Sequence, residues 1–360
     1  MEKVGATSKI GPSSYFPEEI NNLKHIPKLR TTFAGARLET ETVLFSSVDK
    51  ILKQLSIPAD SIGAVIINCS SFNPVPSLAA SVINQFKMKP SVLGYNLSGM
   101  GCAASVIAVD VAQELLQNHR NMRILVAGSE NITSMLYTGK QRSMLITNCL
   151  FRLGGVAFVL SNRQSDGRSA KYRLEHLVRT HLSSDEAYGA VISHEDEDDK
   201  VGIKIGKEVM HVAARALTLN VVKLAPLILH LSEKILYGGN YVARKVFKRN
   251  MAEYVPDFTA AVSHFVIHPG GKAVIDTVEK ALHLQPKHAH PNRAAFTRFG
   301  NTSSSSTWYA LAYIETRTGV KRGERVWQLA FGSGFKCASA IWRALKPNKD
   351  QHDAWTGPSC

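Results

Sequence analysis

The chain has 360 residues, 44% of them hydrophobic and 20% charged, which is enough to bury a substantial core in two domain-sized halves. Its five cysteines (Cys69, Cys102, Cys149, Cys337 and Cys360) are odd in number and lack paired or metal-type spacing. This argues against a disulfide framework or a zinc site and points to a reducing compartment. The formal charge of +14 calls for an anionic partner, and no nucleic-acid motif accompanies it.

The N-terminus opens Met1-Glu2-Lys3-Val4-Gly5 and continues through a polar, proline-containing stretch in which neither a secretory signal nor a membrane span is readable. Val43, Leu44, Val48, Ile51, Leu52 and Leu55 then mark an amphipathic helix. Residues 62–69 form a continuous apolar run, suited to a strand buried on both faces. A helix over 77–86 and strands near 91–97, 123–128 and 155–161 complete a first half.

Within that half, Asn96-Leu97-Ser98-Gly99-Met100-Gly101-Cys102-Ala103-Ala104-Ser105 sets a cysteine after two glycines and before an apolar stripe of Ala104, Ile107, Ala108, Val111 and Leu115. The spacing predicts a helix over 102–117 buried on one face, with Cys102 in its first turn. Free N–H groups and the helix dipole gather there and favour a thiolate. Gly99 and Gly101 permit a sharp strand-to-helix turn whose backbone amides can face a substrate oxygen.

Residues 161–169 form the connector between halves, dividing the chain at 1–165 and 166–360, and Glu195-Asp196-Glu197-Asp198-Asp199 reads as an exposed acidic loop. The apolar run Leu224-Ala225-Pro226-Leu227-Ile228-Leu229 is broken by His230, Glu233 and Lys234, short of the roughly 18 apolar residues of a spanning helix. Arg244, Lys245, Lys248 and Arg249 recur at helical spacing with Val242, Val246 and Phe247 between, a pattern of a membrane-surface helix or of a solvated face. In the second half, strands are expected at 264–268, 326–331 and 336–342 and helices at 271–282 and 303–315.

Two further polar residues stand at turns that open helices. His268 ends the apolar strand in Phe265-Val266-Ile267-His268-Pro269-Gly270-Gly271, and Asn301 follows a glycine in Arg298-Phe299-Gly300-Asn301-Thr302-Ser303. Both read as strand-to-helix turns like that of Cys102. Taken singly, Cys102 reads also as a buried free cysteine, His268 as a satisfied structural histidine and Asn301 as a helix cap. Taken together, at three such turns, they are harder to dismiss as structural residues.

With these residues in place the chain resembles the plant 3-ketoacyl-CoA synthases of very-long-chain fatty acid elongation, within the thiolase-like condensing enzymes. The resemblance runs through Asn68-Cys69-Ser70-Ser71-Phe72-Asn73-Pro74, the Cys102 loop, Ser143-Met144-Leu145-Ile146-Thr147-Asn148-Cys149, the His268 and Asn301 loops, and Trp327-Gln328-Leu329-Ala330-Phe331-Gly332-Ser333-Gly334-Phe335-Lys336-Cys337. It implies a duplicated α/β fold of two similar halves with the active site between them, and the catalytic roles of Cys102, His268 and Asn301. It also implies secondary roles for His181 and for His264, a helical turn's count before His268. Departures at Ser98, Ala103, Ser105 and Pro269 remove no catalytic group, and the family's two N-terminal membrane spans are not readable here.

The implied reaction is acylation of Cys102 by a long-chain acyl-CoA, followed by decarboxylative condensation with malonyl-CoA. His268 and Asn301 stabilise the enolate, while backbone amides at Cys102 and near Gly334 hold the second oxyanion; neither metal nor redox cofactor is required. Acyl-CoA and malonyl-CoA are the expected partners, with a homodimer and other elongase subunits implied by the family. The family implies the cytosolic face of the endoplasmic reticulum membrane, and this chain's own sequence suggests peripheral or cytosolic placement. Alternatives are a non-catalytic paralogue that binds acyl-CoA or elongase partners, a type III polyketide synthase-like enzyme, and a papain-like hydrolase; the last lacks its local cysteine signature here.

Overall fold

The computed structural model describes Ile10, Gly11, Ser14, Phe16, Pro17 and residues 32–252 and 254–357. Most of the N-terminal stretch read as free of spans, and Cys360, lie outside the described residues.

Helix α1 (Phe33–Leu55) is capped by the Thr32 side chain and buries Leu44, Val48 and Leu52 on one stripe. Strand β1 (Ala64–Asn68) is buried at every position, as a continuous apolar run demands of an interior strand. Then come α2 (Leu78–Gln85), β2 (Leu93–Leu97), α3 (Ala104–Asn118) and β3 (Arg123–Ser129), followed by α4 (Ile132–Met135), α5 (Arg142–Leu150) and β4 (Gly155–Ser161). The first sheet is ordered β2-β1-β3-β4, with β2, β1 and β3 parallel and β4 antiparallel to β3.

The second sheet uses β5 (Tyr172–His181) and strands found after a long helical excursion. That excursion contains the hairpin β6 (Val191–Glu195) and β7 (Val201–Ile205), then α6 (Val209–Ile228) and α7 (Leu231–Lys245). Strand β8 (His264–Ile267), α8 (Lys272–Ala281), α9 (Pro286–Phe299), α10 (Ser306–Tyr313), β9 (Arg325–Gly332) and β10 (Lys336–Ala344) complete the layer order. This sheet runs β5-β10-β9-β8, so β8 is an edge strand.

Between the sheets lie α3 and α10. Val106, Ile107 and Val109 of α3 pack in one cluster with Ala310 and Leu311 of α10 and with Val266, Ala330 and Trp342 of the second sheet. Ala108 and Ala112 of α3 pack on Ile66, Ile124 and Val126 of the first. Helices α1 and α2 cover the outer face of the first sheet, and α6 with Val278 of α8 covers the outer face of the second. The result is a five-layer α/β sandwich with a buried helix pair at its centre.

Two expectations need correction. Residues 104–109 are buried on every side, because α3 touches both sheets, so its first half is not the one-faced helix that the stripe predicts. Asn301 does not follow a strand: α9 ends at Phe299, Gly300 reverses the chain, and Asn301 makes a single parallel bridge to Phe151. The acidic run 195–199 is the exposed loop that the sequence predicts, at the β6–β7 hairpin, where half-buried Asp196 accepts from the Tyr137 hydroxyl.

Candidate active site

Strand β2 delivers the chain to Gly101, and a single 3-10 turn (Gly101–Ala103) carries Cys102 straight into α3. Gly101 has φ +65°, and a Cβ there would stand 2.4 Å from the Ser333 amide nitrogen. Only glycine lets the nucleophile turn and the β9–β10 turn touch. Lys336 Nζ donates to the Ser333 carbonyl, and His181 Nε2 donates to the carbonyl of Gly334, so the β9–β10 turn is braced from both sides.

From the other side comes the segment after α9. The side-chain oxygen of Asn301 accepts the Ser303 N–H at 2.8 Å, which fixes the amide's orientation and leaves Nδ2 as the donor. That Nδ2 donates to the Gly270 carbonyl at 3.3 Å and the Asn301 side chain also reaches the Cys102 sulfur. Ser303 itself has φ +57°, a left-handed conformation uncommon for a non-glycine residue, and is buried. Its hydroxyl lies 3.6 Å from Cys102 Sγ and 2.9 Å from Glu130 Oε2.

Glu130 follows β3 and is a buried carboxylate. Its Oε1 accepts the backbone N–H groups of Ser70 at 3.0 Å and Ser71 at 2.8 Å, the Ser71 hydroxyl at 2.6 Å, and the Cys69 thiol at 3.5 Å. Such multiple donation is what a buried charge needs. The Ser71-Glu130-Ser303 chain therefore ties the end of β1 to the Asn301 segment beside the nucleophile. Sequence reasoning missed Glu130 and Ser303, because neither lies at a glycine turn of its own.

His268 is held at the end of β8, where its N–H donates to the Leu329 carbonyl at 2.8 Å. The free edge of β8 is clamped by buried Asn292 of α9, which accepts from Ile267 N–H at 2.8 Å and donates to the Phe265 carbonyl at 3.0 Å. The His268 ring reaches Gly270, whose ideal Cβ would stand 3.1 Å from Nε2, and Gly270 is the group that Asn301 binds. Nδ1 is sealed off without a hydrogen-bond partner among the described residues. An unpartnered ring nitrogen is best left unprotonated, which puts the proton on Nε2.

The structure separates the secondary histidines. His181 stands at the end of β5 beside the β9–β10 turn. His264 lies four residues before His268 on a strand, not a helix, and so roughly 13 Å away at the opposite end of β8. There it pairs with Glu324 at 2.9 Å, so the two histidines of β8 do not share a site.

Electrostatics reverse one expectation. Burial pushes the Cys102 thiol up to about 12, and the charge of Glu130 adds to this; Ser303, Asn301 and the residue's own backbone N–H act the other way without prevailing. Burial also brings the His268 imidazole down to about 3. The helix-end position therefore does not make a resting thiolate: thiol and imidazole are both neutral until substrate arrives. Cys69 and Cys337 are free, buried thiols, likewise pushed up by burial.

A second polar cluster joins Glu315, Asp350 and His352, the one group of metal-type side chains close enough to share an ion among the described residues. Lys171 Nζ already bridges Glu315 at 2.8 Å and Asp350 at 2.5 Å, and the Tyr172 hydroxyl donates to Glu315 at 2.8 Å. These are neutralised structural ion pairs.

Residues 1–246 match the FAE1/Type III polyketide synthase-like protein family, and residues 259–344 match the 3-Oxoacyl-[acyl-carrier-protein (ACP)] synthase III C terminal family. The chain is 47% identical to 3-ketoacyl-CoA synthase 2 of Arabidopsis thaliana over 358 residues, covering 98% of this chain and 67% of that relative. It is 47% identical over 348 residues to 3-ketoacyl-CoA synthase 17 of the same plant, covering 96% of this chain and 71% of the relative. With 3-ketoacyl-CoA synthase 11, also from Arabidopsis thaliana, the identity is 45% over 356 residues, covering 98% and 69%.

Proposed function

This chain belongs to the 3-ketoacyl-CoA synthases, condensing acyltransferases of the thiolase-like fold, and from that premise we propose that Cys102, His268 and Asn301 are its catalytic residues. The observation that carries the assignment is convergence: Asn301 and Ser303 meet at the Cys102 sulfur, and Asn301 is joined to the His268 loop through Gly270.

Acylation begins with a neutral pair. As the Cys102 sulfur attacks the acyl-CoA thioester, its proton leaves the thiol within the step, because burial disfavours a resting thiolate. The proton then goes to the departing CoA sulfur, and the acyl group stays on Cys102 as a thioester. Exchange of one thioester for another is nearly balanced in energy, which suits a cysteine nucleophile.

Malonyl-CoA enters next. Nε2–H of His268 and Nδ2–H of Asn301 donate to its thioester oxygen as CO₂ leaves and enolate charge develops there. Both donors are oriented in advance, the first by its strand end and the second by the Ser303 N–H. The enolate carbon attacks the acyl carbonyl, whose oxyanion is held by backbone N–H groups of Cys102 and of the turn at Gly334. Collapse expels the Cys102 sulfur, which takes up one proton from solvent to restore the thiol, and gives 3-oxoacyl-CoA.

His181 is assigned a positioning role through the Gly334 carbonyl. We divide the chain into halves at the connector near residue 165, a reading supported by its position between β4 and β5, which belong to different sheets. Acyl-CoA and malonyl-CoA are the substrates consistent with the family; a homodimer and contacts with other elongase subunits rest on the family resemblance. Family members are generally associated with the endoplasmic reticulum. Among the described residues, α6 is the one helix long and apolar enough to cross a membrane, yet Val212, Ala216, Leu217 and Leu224 pack it onto the second sheet as a core helix.

The test is release of labelled CO₂ from malonyl-CoA by purified protein with a panel of acyl-CoA primers, together with product analysis. One condensation per primer supports the synthase, repeated extension would favour a polyketide synthase-like enzyme, and no turnover would leave a binding paralogue.

A further inference from the structure

Helix α7 is fastened to the body by its polar side. Glu233 Oε2 accepts from the Tyr254 hydroxyl and the Asp257 N–H, both at 2.8 Å. Asn240, two turns further on, accepts the Tyr254 N–H and donates to the Ala252 carbonyl, both at 3.1 Å. Positions seven apart share a helix side, so this is the side that faces the protein.

The opposite side is apolar and bare. Leu231, Ile235, Val242 and Val246, spaced four, seven and four apart, are 72%, 64%, 43% and 65% exposed, and no residue of the helix is buried. A surface helix of a soluble domain normally does the reverse, turning its apolar stripe inward. Beside the stripe stand the exposed Lys234 and Lys245, with exposed Phe247, Lys248, Arg249 and Met251 just beyond the helix.

We propose that this outward face of α7 docks on an anionic lipid bilayer. The apolar stripe would enter the boundary between headgroups and acyl chains while Lys234, Lys245 and Lys248 lie level with the phosphates. Charge decides the occupant. A symmetric contact with a second copy would set the same lysines against one another, and the helix's one acidic residue, Glu233, is turned inward on Tyr254. An anionic surface meets the lysines and covers the stripe at once. The inference is independent of the catalytic assignment, since none of these residues touches the Cys102 site.

The experiment is flotation of the full chain with phosphatidylcholine vesicles, with and without phosphatidylserine, at about 50 and about 500 mM sodium chloride. Binding is expected on the anionic vesicles at low salt, with a fall at high salt. Ile235→Asn with Val242→Asn should lower it roughly tenfold. Lys234→Glu with Lys245→Glu and Lys248→Glu should remove the salt-sensitive part. Because these side chains are exposed, both variants should keep the parent's circular dichroism and its condensation of a short, water-soluble primer; the lysine set decides the matter if the apolar set unfolds. Absence of binding at low salt, or binding that neither set weakens, would overturn the proposal. So would a shift in sedimentation with vesicle binding unchanged, which would assign the face to a second copy.

Discussion

The Ser303 hydroxyl stands 3.6 Å from the Cys102 sulfur, and its single proton has a second claimant in Glu130 Oε2 at 2.9 Å. The hydroxyl can serve only one of them at a time. At rest the buried carboxylate is the stronger acceptor; when charge reaches the sulfur, the hydroxyl can turn toward it. Ser303→Ala removes that option while Asn301 and the backbone N–H of Cys102 remain. Single-turnover acylation should slow by roughly tenfold with the fold retained. An unchanged acylation rate would show that Ser303 only braces the loop.

Glu130 raises the Cys102 pKa through its charge. Glu130→Gln keeps an oxygen for the Ser70 and Ser71 amides but discards the charge, so the pH midpoint for alkylation of Cys102 should move downward. The pH profile of iodoacetamide labelling, read on Cys102 by mass spectrometry, measures this directly. Glu130→Ala, by contrast, orphans two backbone donors and should cost about 3 kcal/mol in chemical denaturation.

Cys102→Ala should abolish acyl transfer, since the acyl carrier is gone. Gly101→Ala is the sharper test, because the nucleophile is kept. The new methyl would press on the Ser333 amide in a backbone region unfavourable to alanine. Loss of acylation by at least about a hundredfold with Cys102 intact is expected, and quenched-flow capture of the acyl-enzyme would reveal it.

Asn301→Asp separates the two jobs of one side chain. The carboxylate can still accept the Ser303 N–H, but the amide donor is lost. Malonyl-CoA decarboxylation should therefore fall much more than acylation of Cys102, and His268→Ala should show the same bias for the enolate step. Equal losses in the two half-reactions would contradict the division of labour.

Acid should unfold the protein in two overlapping stages. His268 is brought by burial to about 3, below its usual 6.5, so the folded chain binds fewer protons than the unfolded one between those values. Stability is full above the higher value and declines as pH falls toward the lower one. Burial pushes Glu315 up, but His352 and Lys171 outweigh it and bring the carboxyl to about 2 from 4.5. Its contribution is likewise lost as pH falls across that window. Urea titrations at stepped pH should show a monotonic decline below about pH 6, and His268→Gln should remove the upper part of it.

What was legible in the sequence follows from local physics. The unbroken apolar run became an interior strand, β4 occupies residues 155–161, and the glycine–cysteine turn enters a helix, because each depends on neighbours in the chain. Asn301 was misread as following a strand, since its partner is a lone bridge to Phe151, 150 positions away. Glu130 was invisible because its five donors come from two distant turns. Strand β5 was hidden by Arg173, Glu175, His176 and Arg179, polar side chains that an edge strand tolerates. The basic cluster after Val242 was visible, but not which side of α7 is bound.

The contact of the Cys102 turn with the β9–β10 turn also has a genetic consequence. Cys102 and Glu130 come from the first sheet's side; His268, Asn301, Ser303 and the Ser333–Gly334 turn come from the second, reaching almost to the last strand. No stretch of the gene shorter than about these limits encodes a working centre. A stop codon anywhere before β10 strips the nucleophile turn of the backbone it rests against. Alleles truncated before the end of β10 should therefore be null.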